Sequence, residues 1–155
     1  MTIAPTLKSY LDQNVIYDVI THDPTLSSLR TAQAGHIPGG CLAKGIVLRT
    51  GDGFMLAVLP ASRRIQLSEL RTLVGDDVDL ADEQDVAELF QDCALGAVPP
   101  VGKCYGLDVI VDDSIQEQPE VYLEGGDHQT LVHMNQAQFA RLMADARHAR
   151  FSAHA

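Results

Sequence analysis

The chain has 155 residues, of which 46% are hydrophobic and 21% charged, a balance typical of one globular domain with its own core. Its formal net charge of −10 argues against a protein that grips nucleic acid through a broad basic surface. No stretch approaches the roughly 20 apolar residues that cross a bilayer, and the N-terminal sequence lacks the pattern of a secretory signal. We therefore expect one cytoplasmic domain over residues 1–155, with no DNA or membrane partner.

The first quarter of the chain alternates helical and extended patterns. Apolar residues at helical spacing predict a short amphipathic helix over Pro5–Asn14, and the β-branched run Val15–Ile20 predicts a strand. Ser27 or Ser28 is expected to begin a second helix that ends near Gly35.

A hairpin is the strongest local prediction. The apolar runs Leu42–Arg49 and Phe54–Leu59 flank Thr50-Gly51-Asp52-Gly53, a turn sequence rich in glycine. Both faces of the first strand are largely apolar, so we expect this strand to lie in the centre of a sheet.

The second half of the chain mixes short helices and strands. Ser68 is expected to cap a helix ending at Gly75, Asp82 another running to about Phe90, and Asn135, with Gln138 in a capping box, the last helix. Strands are expected over Val78–Leu80, Val109–Val111, Val121–Glu124 and Gln129–Met134. Residues 91–105 are rich in glycine and proline and should be irregular, and the tail after Phe151 is expected to fray.

These elements predict a mixed α/β (α+β) fold, with helices flanking a curved sheet that is mostly antiparallel or mixed. The hairpins favour antiparallel pairing, and the absence of regular βαβ alternation disfavours a doubly wound fold. Three cysteines, Cys41, Cys93 and Cys104, cannot all pair and are expected to be reduced core residues.

Lys44 is the most informative single residue. Alternation places Lys44 on the same strand face as Leu42, Ile46 and Leu48. An ammonium group there loses hydration unless it meets an anionic or strongly polar partner. That partner could be Asp112 or Asp113, or a ligand phosphate or carbonyl; alternatively the lysine reaches water at the strand end.

The loop Gly96–Gly102 is the second candidate feature. Its glycines let backbone N–H groups turn toward a ligand, and Pro99 and Pro100 stiffen it without offering N–H groups. A rigid loop of this kind can hold an acyl oxygen on which negative charge develops. The candidate donors are the amides of Gly96, Ala97, Val98, Val101 and Gly102.

Four further residues are weaker candidates for a site. His128 and Thr130 are expected to share a strand face that could line a pocket, although His128 could equally cap its turn through Asp127. His22 lies at a strand end and carries the same ambiguity. Arg63, beside Arg64, could contact phosphate or simply face solvent.

No nucleophile elbow, zinc-binding helix, phosphate loop or dinucleotide fingerprint is present, so the sequence suggests neither a metal nor a cofactor.

In this order, the motifs resemble the YbaK/prolyl-tRNA-synthetase-associated domain family from about Val15 to Phe139. The resemblance rests on His22-Asp23-Pro24, residues 42–48 entering the hairpin, residues 57–67, the Gly96–Gly102 loop, Val111-Asp112-Asp113 and Gly125-Gly126. One departure is Pro99-Pro100, where family loops often have Ser-Pro.

The resemblance implies hydrolysis of mischarged aminoacyl-tRNA in trans, typically tRNA for proline carrying alanine or cysteine. It implies that Lys44 holds the 3′ end of the substrate and that the segment from Gly96 to Pro100 positions the acyl group. His128, Thr130, His22, Asp113 and Arg63 are further candidate substrate contacts. An aminoacyl ester is already activated, so a water oriented by the terminal ribose hydroxyl could replace a protein nucleophile. A cognate synthetase is a possible partner.

Two other functions remain open at this point. A non-catalytic module could hold an aminoacyl-tRNA end or a synthetase, and a hydrolase could act on a small activated ester or amide without RNA.

Overall fold

A computed structural model describes residues 3–22, 37–51 and 53–154. Its main feature is an eight-stranded mixed sheet in the order β1-β8-β7-β2-β3-β6-β9, with β5 paired to β2. These described ranges contain ten strands: β1 (Asp18–Thr21), β2 (Leu42–Thr50), β3 (Gly53–Pro60), β4 (Arg63–Ile65), β5 (Asp79–Leu80), β6 (Asp108–Asp112), β7 (Glu120–Glu124), β8 (Thr130–Asn135), β9 (Arg147–Ala149) and β10 (Ser152–His154). The predicted mixed α+β class is confirmed.

Four described α-helices flank the sheet: α1 (Pro5–Asn14), α2 (Leu67–Leu73), α3 (Glu83–Leu89) and α4 (Gln136–Leu142). Two 3-10 turns, Lys103–Tyr105 and Asp113–Glu117, border β6. None of the helices in the described ranges is long and apolar enough to cross a membrane. The helix predicted from Ser27 or Ser28 to Gly35 lies outside the described residues.

The β2–β3 hairpin forms the centre of the sheet, as the sequence predicts. Its register runs from Ala43 opposite Pro60 to Thr50 opposite Gly53. Alternation along these strands gives the sheet two apolar faces. One face carries Ala43, Val47, Leu56 and Val58, and the other carries Leu48, Met55, Ala57 and Leu59. A strand buried on both faces must be central.

Several predicted boundaries need correction. The first strand begins at Asp18 rather than Val15. Helix α2 is capped at Gln66, so Ser68 lies inside its first turn. The capping box at α4 is only half formed: Asn135 accepts from the Gln138 backbone, but the Gln138 side chain instead accepts a hydrogen bond from Ile16 N (2.9 Å). Asp82 does cap α3, as expected.

The C-terminal segment is ordered rather than frayed. Phe151 is fully buried, and β10 pairs antiparallel with β4 in a separate two-stranded sheet. The carboxylate of Asp112, itself only 2% exposed, accepts from Phe151 N (2.8 Å) and from the backbone and hydroxyl of Ser114. The expectation of a loose tail was wrong because its partners, Asp112 and β4, lie far away in sequence.

Asp112→Asn should therefore destabilise the C-terminal segment. Burial alone would raise the pKa of Asp112, but the hydrogen bonds from Phe151 and Ser114 outweigh it and lower the pKa below 3.8. An asparagine cannot accept at both oxygen positions, so we expect a loss of about 1–3 kcal/mol in the free energy of unfolding. Chemical denaturation at pH 7 measures it.

The pH dependence checks the cause. A depressed carboxyl pKa gives stability that is present above 3.8 and lost as the pH falls through the folded-state value. The difference between the wild type and Asp112→Asn should accordingly shrink in acid. A difference that stays constant down to the acid unfolding limit would contradict this account.

Candidate functional site

Lys44 lies near the middle of β2 and is half-buried. Its side-chain ammonium forms no hydrogen bond or ion pair with any residue in the described ranges. Burial lowers the pKa of its ammonium below the usual 10.5. The two carboxylates considered as partners are engaged elsewhere, since Asp112 holds Phe151 and Asp113 lies 3.7 Å from the Nε of Arg150. A partly desolvated cation without a protein counter-ion is suited to an anionic or carbonyl ligand.

The edge of β2 that faces β7 and β5 has a gap in its pairing. β7 pairs with it only at Leu42 and Ala43, and β5 only at Leu48 and Arg49. Cys41 O and Val47 O accept from Tyr122 N and Ala81 N, so the odd-numbered residues direct their backbone groups to this edge. Gly45 therefore presents its N–H and C=O where no described strand pairs.

The Gly96–Gly102 loop packs against this gap. A Cβ on Gly45 would lie 3.2 Å from both Pro100 Cα and Pro99 O, so any other residue would have to push the loop backbone outward by a few tenths of an ångström. The loop covers the face of β2 to which a Gly45 side chain would point. The Lys44 side chain points to the opposite face, because side-chain directions alternate along a strand. The loop and the Lys44 side chain therefore border the unpaired part of this edge, residues 44–46, from the two sides of the sheet.

The loop presents some of its amides, though not all of those predicted. Gly96 adopts the left-handed region, with φ 79°, which turns the chain and favours glycine. The Ala97 amide already donates to Ala94 O (3.0 Å), so it is not a candidate donor. Within the described part of the chain, the amides of Gly96, Val98, Val101 and Gly102 have no acceptor. Gly102 lies apart from the others, beside Leu107 and Val109.

A small apolar cavity lies under the first part of the loop. Its volume is about 160 Å³, and it is lined by α3 and loop residues, including Phe90, Cys93, Leu95, Gly96 and Val98. Burial raises the pKa of the Cys93 thiol to about 12, so it is protonated at neutral pH and is a poor nucleophile. The cavity can accept a small apolar group without offering covalent chemistry.

Three hydrogen bonds and one ring contact fix the upstream end of the loop. Asp92 accepts from Tyr105 OH (2.9 Å) and from Thr6 N (2.8 Å), which ties the loop to the start of α1. Ala94 N donates to Gly126 O (2.7 Å). The Tyr105 ring also packs on Phe90, with a centroid distance of 4.5 Å. The hydrogen bond between Asp92 and Tyr105 therefore joins the two ends of the segment that contains the loop.

Tyr105→Phe should loosen the loop while leaving the fold intact. Removing one partly buried hydroxyl costs about 0.5–1.5 kcal/mol, and we expect a roughly threefold to tenfold fall in kcat for any reaction in which the loop positions the substrate. Tyr17→Phe is the matched control, because it removes a similar bond to Asp12 (2.5 Å) away from the loop. Equal falls in kcat for both variants would show that the effect is not specific to the loop.

His128 belongs to the loop's support rather than to β8. It lies in the preceding turn with φ 65°, so the predicted shared face with Thr130 does not exist. Its Nε2 is 2.6 Å from Leu95 O, and a Cβ on Gly96 would be 3.5 Å from its ring. Because a carbonyl oxygen only accepts, Nε2 carries the proton. The alternative, a bond from His128 to Asp127, is not formed: that carboxylate accepts from Gln129 N, Thr130 N and the Thr130 hydroxyl.

The remaining predicted contacts do not converge on this gap. Thr130 is 1% exposed and its hydroxyl is used by Asp127. His22 directly follows β1 and is 8% exposed. Asp113 lies near Arg150, and Arg63 lies on β4, bonded to Ser152. The sequence analysis also missed Gly45, Asp92 and Tyr105; a glycine in the middle of a buried strand was the available signal for the first.

This domain can be classified from its mixed sheet, its half-buried strand lysine and its rigid loop, together with comparisons to known proteins. Residues 22–142 match the family model of the aminoacyl-tRNA editing domain. The chain belongs to that family.

Solved structures agree with the fold. One match is described as a putative trans-editing enzyme for prolyl tRNA synthetase, with 25% identity, a TM-score of 0.84, and coverage of 97% of this chain and 96% of that one. A structure from epitope grafting on scaffold proteins has 25% identity, a TM-score of 0.80, and coverage of 98% and 97%. The hypothetical protein APE2540 has 20% identity, a TM-score of 0.84, and coverage of 96% and 99%, which bears on the fold alone. A comparison with curated proteins found no match.

Proposed function

We propose that the chain is a single editing domain over residues 1–155 that hydrolyses mischarged aminoacyl-tRNA in trans, acting in the cytoplasm. The substrate we propose is tRNA for proline carrying a small wrong amino acid such as alanine or cysteine. The observation that carries the proposal is Lys44, a half-buried ammonium that no described carboxylate neutralises, beside a gap bordered by a rigid loop with unpaired amides.

In the proposed reaction, water attacks the carbonyl carbon of the ester that joins the amino acid to the terminal ribose. The adjacent ribose hydroxyl orients that water. The amides of Gly96 and Val98 donate to the developing oxyanion, and Lys44 holds the neighbouring phosphate or carbonyl. The C–O bond to the ribose then breaks, releasing the free amino acid and an intact tRNA.

The cavity under the loop supports the proposal that the amino acid removed is small. Its volume of about 160 Å³ and its apolar lining fit a short side chain. His128 bonds to Leu95 and contacts Gly96, so we propose that it sets the size limit by fixing the loop and that it does not move a proton. A pocket of this kind discriminates weakly per methylene, by about 1–3 kcal/mol.

Deacylation of a panel of charged tRNAs tests the proposal. We expect release of alanine or cysteine from tRNA for proline to exceed release of threonine, with cognate proline spared. Retention of every amino acid, together with measurable RNA binding, would instead support a non-catalytic module. Hydrolysis of a small aminoacyl ester that uncharged tRNA fails to inhibit would support an RNA-independent hydrolase.

A further inference from the structure

Two segments distant in sequence form a surface of basic residues without any acidic residue of their own. Residues 60–66 and 146–154 contain no Asp or Glu, in a chain with 21 acidic residues and a net charge of −10. Their basic residues other than His148, which pairs with Val111 and so lies on the opposite face of the main sheet, form what we call the C-terminal basic surface: Arg63, Arg64, Arg147, Arg150 and His154. The pairing of β4 with β10 brings the two segments together, with Arg63 opposite His154 and Arg64 opposite Ala153.

Arg63 is held in place by groups that leave its charge unneutralised. Its Nε donates to Ser152 Oγ (2.7 Å) and one terminal nitrogen donates to Ser152 O (2.8 Å). The other terminal nitrogen lies 3.3 Å from His154 Nε2, so its nearest ionisable neighbour is another basic side chain. A fixed guanidinium of this kind is suited to phosphate oxygens.

The neighbouring carboxylates neutralise little of this charge. Asp113 lies 3.7 Å from Arg150 Nε, an exposed pair of small energetic value. Asp112 is buried and already accepts from Phe151 and Ser114. The exposed side chains of Arg64 and Arg147 form no ion pair with any residue that the structure describes. The surface thus keeps most of its positive charge in an otherwise acidic protein.

This surface lies on the same side of the main sheet as Lys44. Ile46 shares the Lys44 strand face, and it packs in the apolar cluster that contains Phe151 and Ile65. Leu59, directly opposite Lys44, precedes Arg63 by only four residues, so at most about 14 Å of chain separates them.

We propose that the C-terminal basic surface binds the phosphodiester backbone of the RNA acceptor stem while the 3′ end enters the gap beside Lys44. This inference rests on the proposed function and adds the direction from which RNA approaches. The acidic residues 76–92 repel phosphates and exclude the approach over α3. Contacts to phosphate position a nucleic acid without reading its sequence, which suits a surface built from arginines.

A charge-matched pair of double variants tests the proposal. Arg64→Gln/Arg147→Gln removes two charges from the surface, whereas Arg49→Gln/Arg141→Gln removes two exposed arginines elsewhere that also lack ion pairs with described residues. The probe is an uncharged RNA hairpin with the acceptor-stem duplex and a single-stranded 3′ end. Its affinity is measured by fluorescence anisotropy from low to moderate salt, and both variants are checked for unchanged Tm.

We expect the first variant to bind about tenfold more weakly at low salt and to lose about 1.5 from the magnitude of the log–log salt slope, as two phosphate contacts require. The control should change affinity less than twofold. Equal weakening by both variants, or by neither, would overturn the proposal. Competition by polyglutamate as strong as that by RNA would also overturn it, since the surface would then recognise acidic polypeptide.

Catalytic assays distinguish a failure of this inference from a failure of the proposed function. Hydrolysis of a small aminoacyl-adenosine ester should be equal in the wild type and both variants, because that substrate has no stem phosphates. If the RNA hairpin binds as expected but no charged tRNA is deacylated, the proposal for the basic surface is retained and the deacylase proposal fails. If deacylation occurs and the variants are indistinguishable, only the surface proposal fails.

Discussion

Replacing Lys44 by methionine is expected to lower kcat/KM for deacylation by about 100- to 1,000-fold, the usual effect of removing one group that stabilises developing charge. Methionine keeps the length and apolar stem of the side chain but removes the ammonium. Turnover is measured as amino acid released from a mischarged tRNA. Arg49→Met, at the exposed far end of the same strand, is the control and should retain near-wild-type activity. Deacylation by Lys44→Met within threefold of the wild type would exclude a role for the ammonium.

The same variant should be no less stable than the wild type. Burial lowers the pKa of Lys44 below 10.5, so the folded state holds this proton less tightly than the unfolded chain. The charge therefore opposes folding at neutral pH, and stability rises as the pH passes through the lowered value toward 10.5. Methionine removes that penalty. An unchanged or higher Tm, together with lost activity, would separate a functional role from a structural one.

Gly45→Val should be the second most damaging substitution. A Cβ at this position would lie 3.1 Å from Leu56 Cδ1 and 3.2 Å from the backbone of Pro99 and Pro100. Pro99 and Pro100 make the loop backbone stiff, so the loop must move outward as a unit to make room for the valine side chain. A displacement of about 1 Å in a positioning element commonly costs about 100-fold in rate. Valine itself favours strand conformation, so β2 should persist.

A graded series makes this result interpretable. Gly45→Ala should give a smaller loss than Gly45→Val, because only one methyl group meets the loop. Gly40→Ala is the control, since its Cβ would be in ordinary contact, 3.6 Å from Gln118 Nε2. We expect that variant to keep its activity. If Gly45→Val keeps full kcat with an intact fold, the position of the loop does not matter for the reaction.

The sequence was most informative where local signals decide the structure. Helix α1 and the β2–β3 hairpin follow from residue periodicity and turn chemistry, and each is specified by at most about twenty consecutive residues. The cap at Asp82 is likewise a contact between near neighbours. The short strands β4, β9 and β10 were missed, because three residues carry no measurable period and their stability comes from distant partners.

The same distinction applies to the site: residues identifiable by type were predicted, whereas contacts between distant segments were not. Lys44 and the Gly96–Pro100 segment were identified from residue type, and the structure brings the loop against the residue next to Lys44. The contact between Gly45 and Pro100 could not be predicted, because it depends on how the sheet leaves a gap between β7 and β5. The sequence left the partners of Asp112 and His128 open, and it named neither Phe151 N for the first nor Leu95 O for the second, because both backbone groups belong to distant segments.

The capping of α1 links the first turn of that helix to the segment that leads into the Gly96–Gly102 loop. The residue at the helix start is Ala4, which has no polar side chain, so the negative charge at this end comes from Asp92 through Thr6 N. Ala4 N also bonds Gly125 O, next to the glycine that holds Ala94. Because these contacts are shared, we expect fraying of the helix end and release of the loop to occur together. Bulky additions near Ala4 would be felt as a catalytic defect rather than as a loss of overall stability.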